Sequence, residues 1–183
     1  MDLTGPQVAI TFVSPSSETR ADEVISKVAS LKKDSHAVKI QADMRDLRAP
    51  QRAVAETIAA FGNSIDILVN NAGVANLVDV NVRSVVFTAQ AELPYLRSPS
   101  RIISLSSALS RVGQPAANVY AATNAAGKAL PEQAVQILKA TKLLEHRPGT
   151  PEDVSLAVVI LAEPESRWIT GQTIQACGGK YLS

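Results

Sequence analysis

The chain has 183 residues, of which 46% are hydrophobic and 19% charged, with a formal net charge of +1. That length suits one domain spanning 1–183 with a buried core, and the near-balanced charge argues against nucleic acid or an acidic membrane surface as a partner. The single cysteine, Cys177, excludes an internal disulfide and a thiolate metal cage and fits a reducing, cytoplasmic setting. Met1 to Pro6 lacks the basic-then-apolar pattern of a signal peptide, and no stretch approaches the ~20 apolar residues of a membrane span.

Val8 to Val13 is an apolar, β-branched run that predicts a buried strand. Ser14-Pro15-Ser16-Ser17 breaks it and offers helix caps, after which Ala21, Val24, Ile25, Val28 and Leu31 recur at helical spacing. Ala37 to Ala42 predicts a second strand. Pro50 opens a helix with Val54, Ile58 and Phe61 on its buried face, and Gly62 stops it. Ile65 to Asn70 predicts a third strand. A helix over Asp79 to Leu96 is expected to carry Val82, Val86, Ala89, Leu93 and Leu96 on one face. Arg101 to Ser106 predicts a fourth strand, followed by helices over Val119 to Leu130 and Pro131 to Leu143. Pro151 opens another helix, with Glu152 and Asp153 suited to its first turn. Thr173 to Ala176 predicts a last strand. This alternation implies an α/β domain with a mostly parallel sheet covered on both faces. Ligands bind such folds beyond the carboxyl ends of the strands.

Three motifs fall at those ends. Asn70-Asn71-Ala72-Gly73 follows the third strand, where small residues let a flat ligand approach the backbone, although an ordinary Asn-Gly turn has the same composition. Ser106-Ser107 follows the fourth strand, and Tyr120 stands thirteen residues beyond Ser107 at the start of the next helix. A serine and a tyrosine so placed can converge on one carbonyl, the hydroxyl binding its oxygen and the phenol transferring a proton. Taken separately, Ser107 reads as a cap or turn serine and Tyr120 as a core aromatic. His36 and His146 match no metal spacing, and no metal is expected. Trp168 reads as packing a helix end on the sheet, Val154 to Leu161 as core or a subunit contact, and Cys177 as a buried thiol.

Together and in this order, NNAG at 70–73, VNV at 80–82, SLSSALSRVG at 104–113, VYAAT at 119–123, HRPGTPEDV at 146–154, SRWITGQTI at 166–174 and CGG at 177–179 resemble the short-chain dehydrogenase/reductase family over nearly the whole chain. The flavour is that of microbial or fungal ketoreductases. The resemblance implies a Rossmann-like three-layer sandwich. It also implies NADP(H)-dependent reduction of a ketone, or oxidation of a secondary alcohol, in small-molecule or secondary metabolism. Residue by residue, it makes Ser107 the substrate-orienting serine, Tyr120 the acid/base and Asn81 the holder of a relay water. Asp43 falls beside the adenine ring, Asn71 and Gly73 beside the ribose, Arg83 at the cofactor edge, and Asn124 in the place of the family lysine. Serines 14, 16 and 17 with Arg20 favour NADP(H) over NAD(H). The family also pairs through its long helices, which implies a homo-oligomer through Asp79–Leu96.

The chain departs from the pattern in ways that bear on activity. The glycine-rich TGxxxGxG turn, with its strand and helix, is absent between Gly5 and Val8, and with it the usual pyrophosphate cradle. Segments are also missing between Gly73 and Asp79 and between Leu130 and Pro131. The YxxxK lysine is Asn124, whose amide cannot supply the charge that lowers the tyrosine pKa. Lys128 is no substitute, lying roughly 12 Å along the helix from Tyr120. A missing central strand would leave neighbouring strand edges unpaired unless they close the gap. The expectation is an impaired oxidoreductase, or alternatively an inactive interaction protein of the same fold or a truncated isoform.

Overall fold

A computed structural model describes residues 5–31, 34–74, 78–107, 145, 147 and 149–179. The expected helices over 119–130 and 131–143, together with Tyr120, Asn124 and His146, lie outside the described residues. The order is β1 (Gln7–Phe12), α1 (Pro15–Ser30), β2 (His36–Gln41), α2 (Ala49–Phe61), β3 (Ile65–Asn70), a π turn (Asp79–Arg83), α3 (Ser84–Glu92), a 3-10 turn (Leu93–Tyr95), β4 (Leu96–Ser104), α4 (Pro151–Ala162) and a 3-10 turn (Pro164–Ser166). The chain divides into two units, Met1–Leu68 with Val78–Ser100, and Val69–Leu77 with Arg101–Ser183.

In the first unit β1 and β2 pair in parallel, with Val8 opposite Ala37 and Ile10 opposite Lys39. The connection between parallel strands must cross over, and α1 is that crossover. Its N-terminus is closed locally: the Ser14 N–H donates to Ser17 Oγ at 3.1 Å, and Ser17 Oγ donates to Ser14 O at 2.8 Å. Pro15 fits at the first helical position, where its missing N–H costs nothing. Lys39 of β2 pins α1 to the sheet through Glu18 at 2.8 Å and Asp22 at 2.6 Å, and both hydrogen bonds raise its pKa. The core is Ile40, Ala42, Met44, Ala49, Ala53 and Val80, with Ala9 and Val38 packed against it. Three alanines let α2 approach β2 closely, and burying Ile40 contributes about 1.5–3 kcal/mol.

Among the described residues β1 pairs only with β2, and β3 only with β4. Val8, Ile67 and Val69 are exposed although they lie on strands with the apolar sequence of buried ones.

Several expectations require correction. The helix expected over Asp79–Leu96 is broken into a π turn, α3 and a 3-10 turn, and strand β4 already begins at Leu96. An i→i+5 turn takes one residue more than an α turn, so it rotates every later side chain relative to a 3.6-residue count. The buried face is accordingly Val80, Asn81, Ser84 and Glu92, while Val82, Val86 and Leu93 are exposed. Serine and threonine tolerate that burial by bonding back along the helix, Ser84 Oγ to Val80 O at 2.5 Å and Thr88 Oγ1 to Ser84 O at 2.7 Å. In the second unit Thr173–Ala176 is not a strand; β propensity is a local preference that tertiary context overrides. Trp168 is 93% exposed instead of packed on the sheet, and Cys177 is only half-buried. Helix α4 starts as expected, with Thr150 and Asp153 capping each other, yet contains no buried residue. Its Leu156, Val159 and Ile160 are exposed, which removes the core reading of that stripe.

Candidate active site

The carboxyl end of β2 leads into a tight turn, Asp43-Met44-Arg45-Asp46, anchored by buried Met44. Both aspartates fold the backbone onto themselves: Asp43 Oδ1 accepts the Arg45 N–H at 3.0 Å, and Asp46 Oδ1 accepts the Arg48 N–H at 3.0 Å. The Arg45 side chain then turns back on Asp43, with Nε 2.9 Å from both carboxylate oxygens and Nη2 2.5 Å from Oδ2. These bonds, the side-chain ones foremost, hold the Asp43 pKa down at about 2. Asp46 is lowered too, first by the Arg48 amide and then by Arg52.

The π turn brings further groups to the same place. Arg83 Nη2 donates to the Arg45 carbonyl at 2.8 Å, and its Nη1 meets Asp79 at 2.7 Å. Asp43, Arg45, Asp79 and Arg83 thus form one network in the first unit, and Asn81 is buried one position from core residue Val80. Of the residues singled out from sequence, this unit holds Asp43, Asn81 and Arg83. The role of Arg45 was missed; its only signal was an arginine two places after a turn aspartate. Glu92 was missed as well. It is buried on α3, its Oε2 has no hydrogen-bond partner, and burial raises its pKa to about 7.

The second unit holds Asn71, Gly73 and Ser107. The ends of β3 and β4 are tied there by the Leu105 N–H donating to Asn70 O at 2.9 Å and Asn70 Nδ2 donating to Ser104 Oγ at 3.2 Å. That tie places Asn71 directly beyond one strand end and half-buried Ser107 three residues beyond Ser104 at the other. Arg147 clamps Asp153 with Nη2 3.0 Å from Oδ1, which together with the Thr150 amide drives the Asp153 pKa well below the usual carboxylate range. Among the described residues no group of three His, Cys, Asp or Glu side chains could hold a metal.

Parallel pairing and a helical crossover in the first unit, with polar side chains just past its strand end, are features of a Rossmann-like α/β fold. The family model for short chain dehydrogenase matches residues 4–144, and the chain belongs to the short-chain dehydrogenase/reductase family of oxidoreductases. Dehydrogenase OXI1 of Cochliobolus heterostrophus is 41% identical over 226 aligned positions, covering 96% of this chain and 97% of that protein. Because this chain has only 183 residues, roughly fifty of those positions stand opposite gaps in it. A blue fluorescent protein from a metagenomic library, solved with NADPH, is 25% identical with a TM-score of 0.85, covering 97% of this chain and 89% of that one. A short chain dehydrogenase from Burkholderia cenocepacia, solved with NADP, is 28% identical with a TM-score of 0.80, covering 96% and 88%.

Proposed function

We propose that the chain is an impaired short-chain reductase. It binds NADP(H) in preference to NAD(H) and acts on a small-molecule ketone or secondary alcohol far more slowly than a full-length relative. The observation that carries this reading is the alignment to the matched relative, which has roughly fifty positions without a counterpart here; among the described residues β1–β2 and β3–β4 are separate pairs. The solved neighbours that hold NADPH and NADP support the choice of cofactor. We read the 183 residues as one domain, since the alignment to the relative runs through both units, and we place it in the cytoplasm on its single cysteine. No helix among the described residues is long and apolar enough to cross a membrane.

The residues present suit the adenosine portion of the cofactor better than its pyrophosphate. Asp43 offers a carboxylate at the end of β2, and Asn71 and Gly73 offer backbone beyond β3. The serines before α1 bond one another, Ser14 Oγ lying 2.8 Å from Ser16 Oγ. NADPH, when bound, supplies a hydride to the carbonyl carbon. The Ser107 hydroxyl donates to the carbonyl oxygen, the Tyr120 phenol passes its proton to that oxygen, and Asn81 holds the relay water. Asn124 can hydrogen-bond but carries no charge, so it cannot supply the positive charge that would favour the ionised phenol of Tyr120.

The test is NADPH titration by nucleotide fluorescence together with ketone turnover. We expect weak saturable binding and slow turnover that Tyr120→Phe abolishes and Asn124→Lys raises about tenfold or more. Robust turnover by the unaltered chain would refute the impairment. A second reading, an interaction protein of the same fold that forms homo-oligomers, is favoured by the exposed Val82 of the π turn, Val86 of α3 and Leu93 of the 3-10 turn that follows it. No nucleotide binding, with a dimer or larger species in sedimentation velocity at micromolar concentration, selects it.

A further inference from the structure

A carboxylate can accept about four hydrogen bonds. In Asp43 both oxygens are engaged from within the turn by three N–H donors of Arg45: the amide on Oδ1, Nη2 on Oδ2, and Nε shared between the two. The other carboxylate of the turn, Asp46, is bonded to the Arg48 amide and lies 3.3 Å from Arg52. The Arg45 backbone is itself held, its carbonyl accepting from Arg83, so the guanidinium swings from a fixed base. The planar guanidinium offers a fixed set of donors matched to a carboxylate, whereas a lysine would supply a flexible point charge.

We propose that Arg45 is an internal competitor for Asp43, and that it weakens recognition of the adenine amino group by this chain. The inference rests on the proposed cofactor reading, in which Asp43 offers its carboxylate to the adenosine portion; the adenine amino group is the N–H donor of that portion that a carboxylate beside the ring can accept. An incoming N–H donor meets a carboxylate with both oxygens already bonded and competes with the guanidinium for it. The side chains of Arg45 and Asp43 are 62% and 34% exposed, so the displacement is reversible and its cost small. Arg83, committed to Asp79 and to the Arg45 carbonyl, stabilises the closed arrangement.

The probe is adenosine, which has no phosphate and so separates the hydrogen bond from the general attraction of a cation for an anionic nucleotide. Equilibrium titration of the full chain is compared with Arg45→Met, which keeps the aliphatic stem, and with Arg45→Lys. Arg45→Met should tighten adenosine binding about two- to fivefold at low salt, the range expected for loss of an exposed ion pair. Arg45→Lys should fall between, and added salt should shrink the difference. Carboxyl NMR of Asp43 is the independent readout: in Arg45→Met its titration should move up from about 2 toward the ordinary aspartate value of 3.8. If the titration moves and adenosine binding is unchanged or weaker, the competition is refuted while the cofactor reading stands. If neither protein binds adenosine, the cofactor reading fails and the inference with it.

Discussion

The two units reach their folded form by different means. The first closes an aliphatic core around Ile40, Ala42, Ala49, Ala53 and Val80, with Lys39 and the Asp43 turn bonded at its rim. The described part of the second has a well-capped helix, α4, with nothing of it buried, and a tryptophan that is 93% exposed. One region is stabilised by what it buries; the other, among its described residues, by termini and ion pairs. A capped, apolar, uncovered helix shows that start signals act locally, whereas burial requires a neighbour.

The largest test of that contrast sets Ile40→Ala against Leu156→Ala. The first should destabilise the chain by about 2–5 kcal/mol in urea unfolding, through lost transfer energy and a cavity. The second, at a side chain 62% exposed, should stay within about 0.5 kcal/mol. Comparable losses would mean that α4 is covered in solution and would remove the contrast.

A smaller effect comes from Glu92, the one charged side chain in the first unit's buried set. Its folded pKa of about 7 stands above the ordinary 4.5, so the folded state holds the proton more tightly than the unfolded one. The sign follows: the penalty is absent below about pH 4.5, grows as pH rises, and is complete above about 7. Glu92→Gln should therefore leave stability at pH 4 nearly unchanged and raise it by about 1–3 kcal/mol at pH 8. A constant difference across pH 4 to 8, measured by thermal melts, would show that the carboxyl is solvated.

The smallest effect belongs to the second unit. Thr150→Ala should cost about 1 kcal/mol by leaving the Asp153 amide unbonded. Hydrogen exchange should locate the loss in the first turn of α4, and exchange accelerated equally along the whole helix would argue that the cap does more than hold that turn.

Much of the architecture was legible from residue order. β3 falls at Ile65–Asn70 as its pattern predicts, and α4 opens at Pro151 with its acidic first turn. The motifs that mark the family are contiguous strings, so they survive without a structure. Less of the site was legible. Asp43, Asn81 and Arg83 were visible from sequence, but that Asp43 and Arg83 both converge on Arg45 was not, because that convergence depends on a π turn and a side chain folding back. Ser107 and Asn71 stand past strand ends as expected, while Tyr120 and Asn124 lie outside the described residues.

Strands β1 to β3, helices α1 and α2, the start of α4 and the membership of the family follow from the amino-acid sequence alone, since periodicity, turn chemistry and short motifs are properties of neighbouring residues. Which face of α3 is buried, how the described strands pair, and whether the Asp43 carboxylate is open or already bonded were decided only in three dimensions. The reason is common to all three: burial and hydrogen-bond saturation depend on groups brought together from distant parts of the chain, and no local pattern counts those partners.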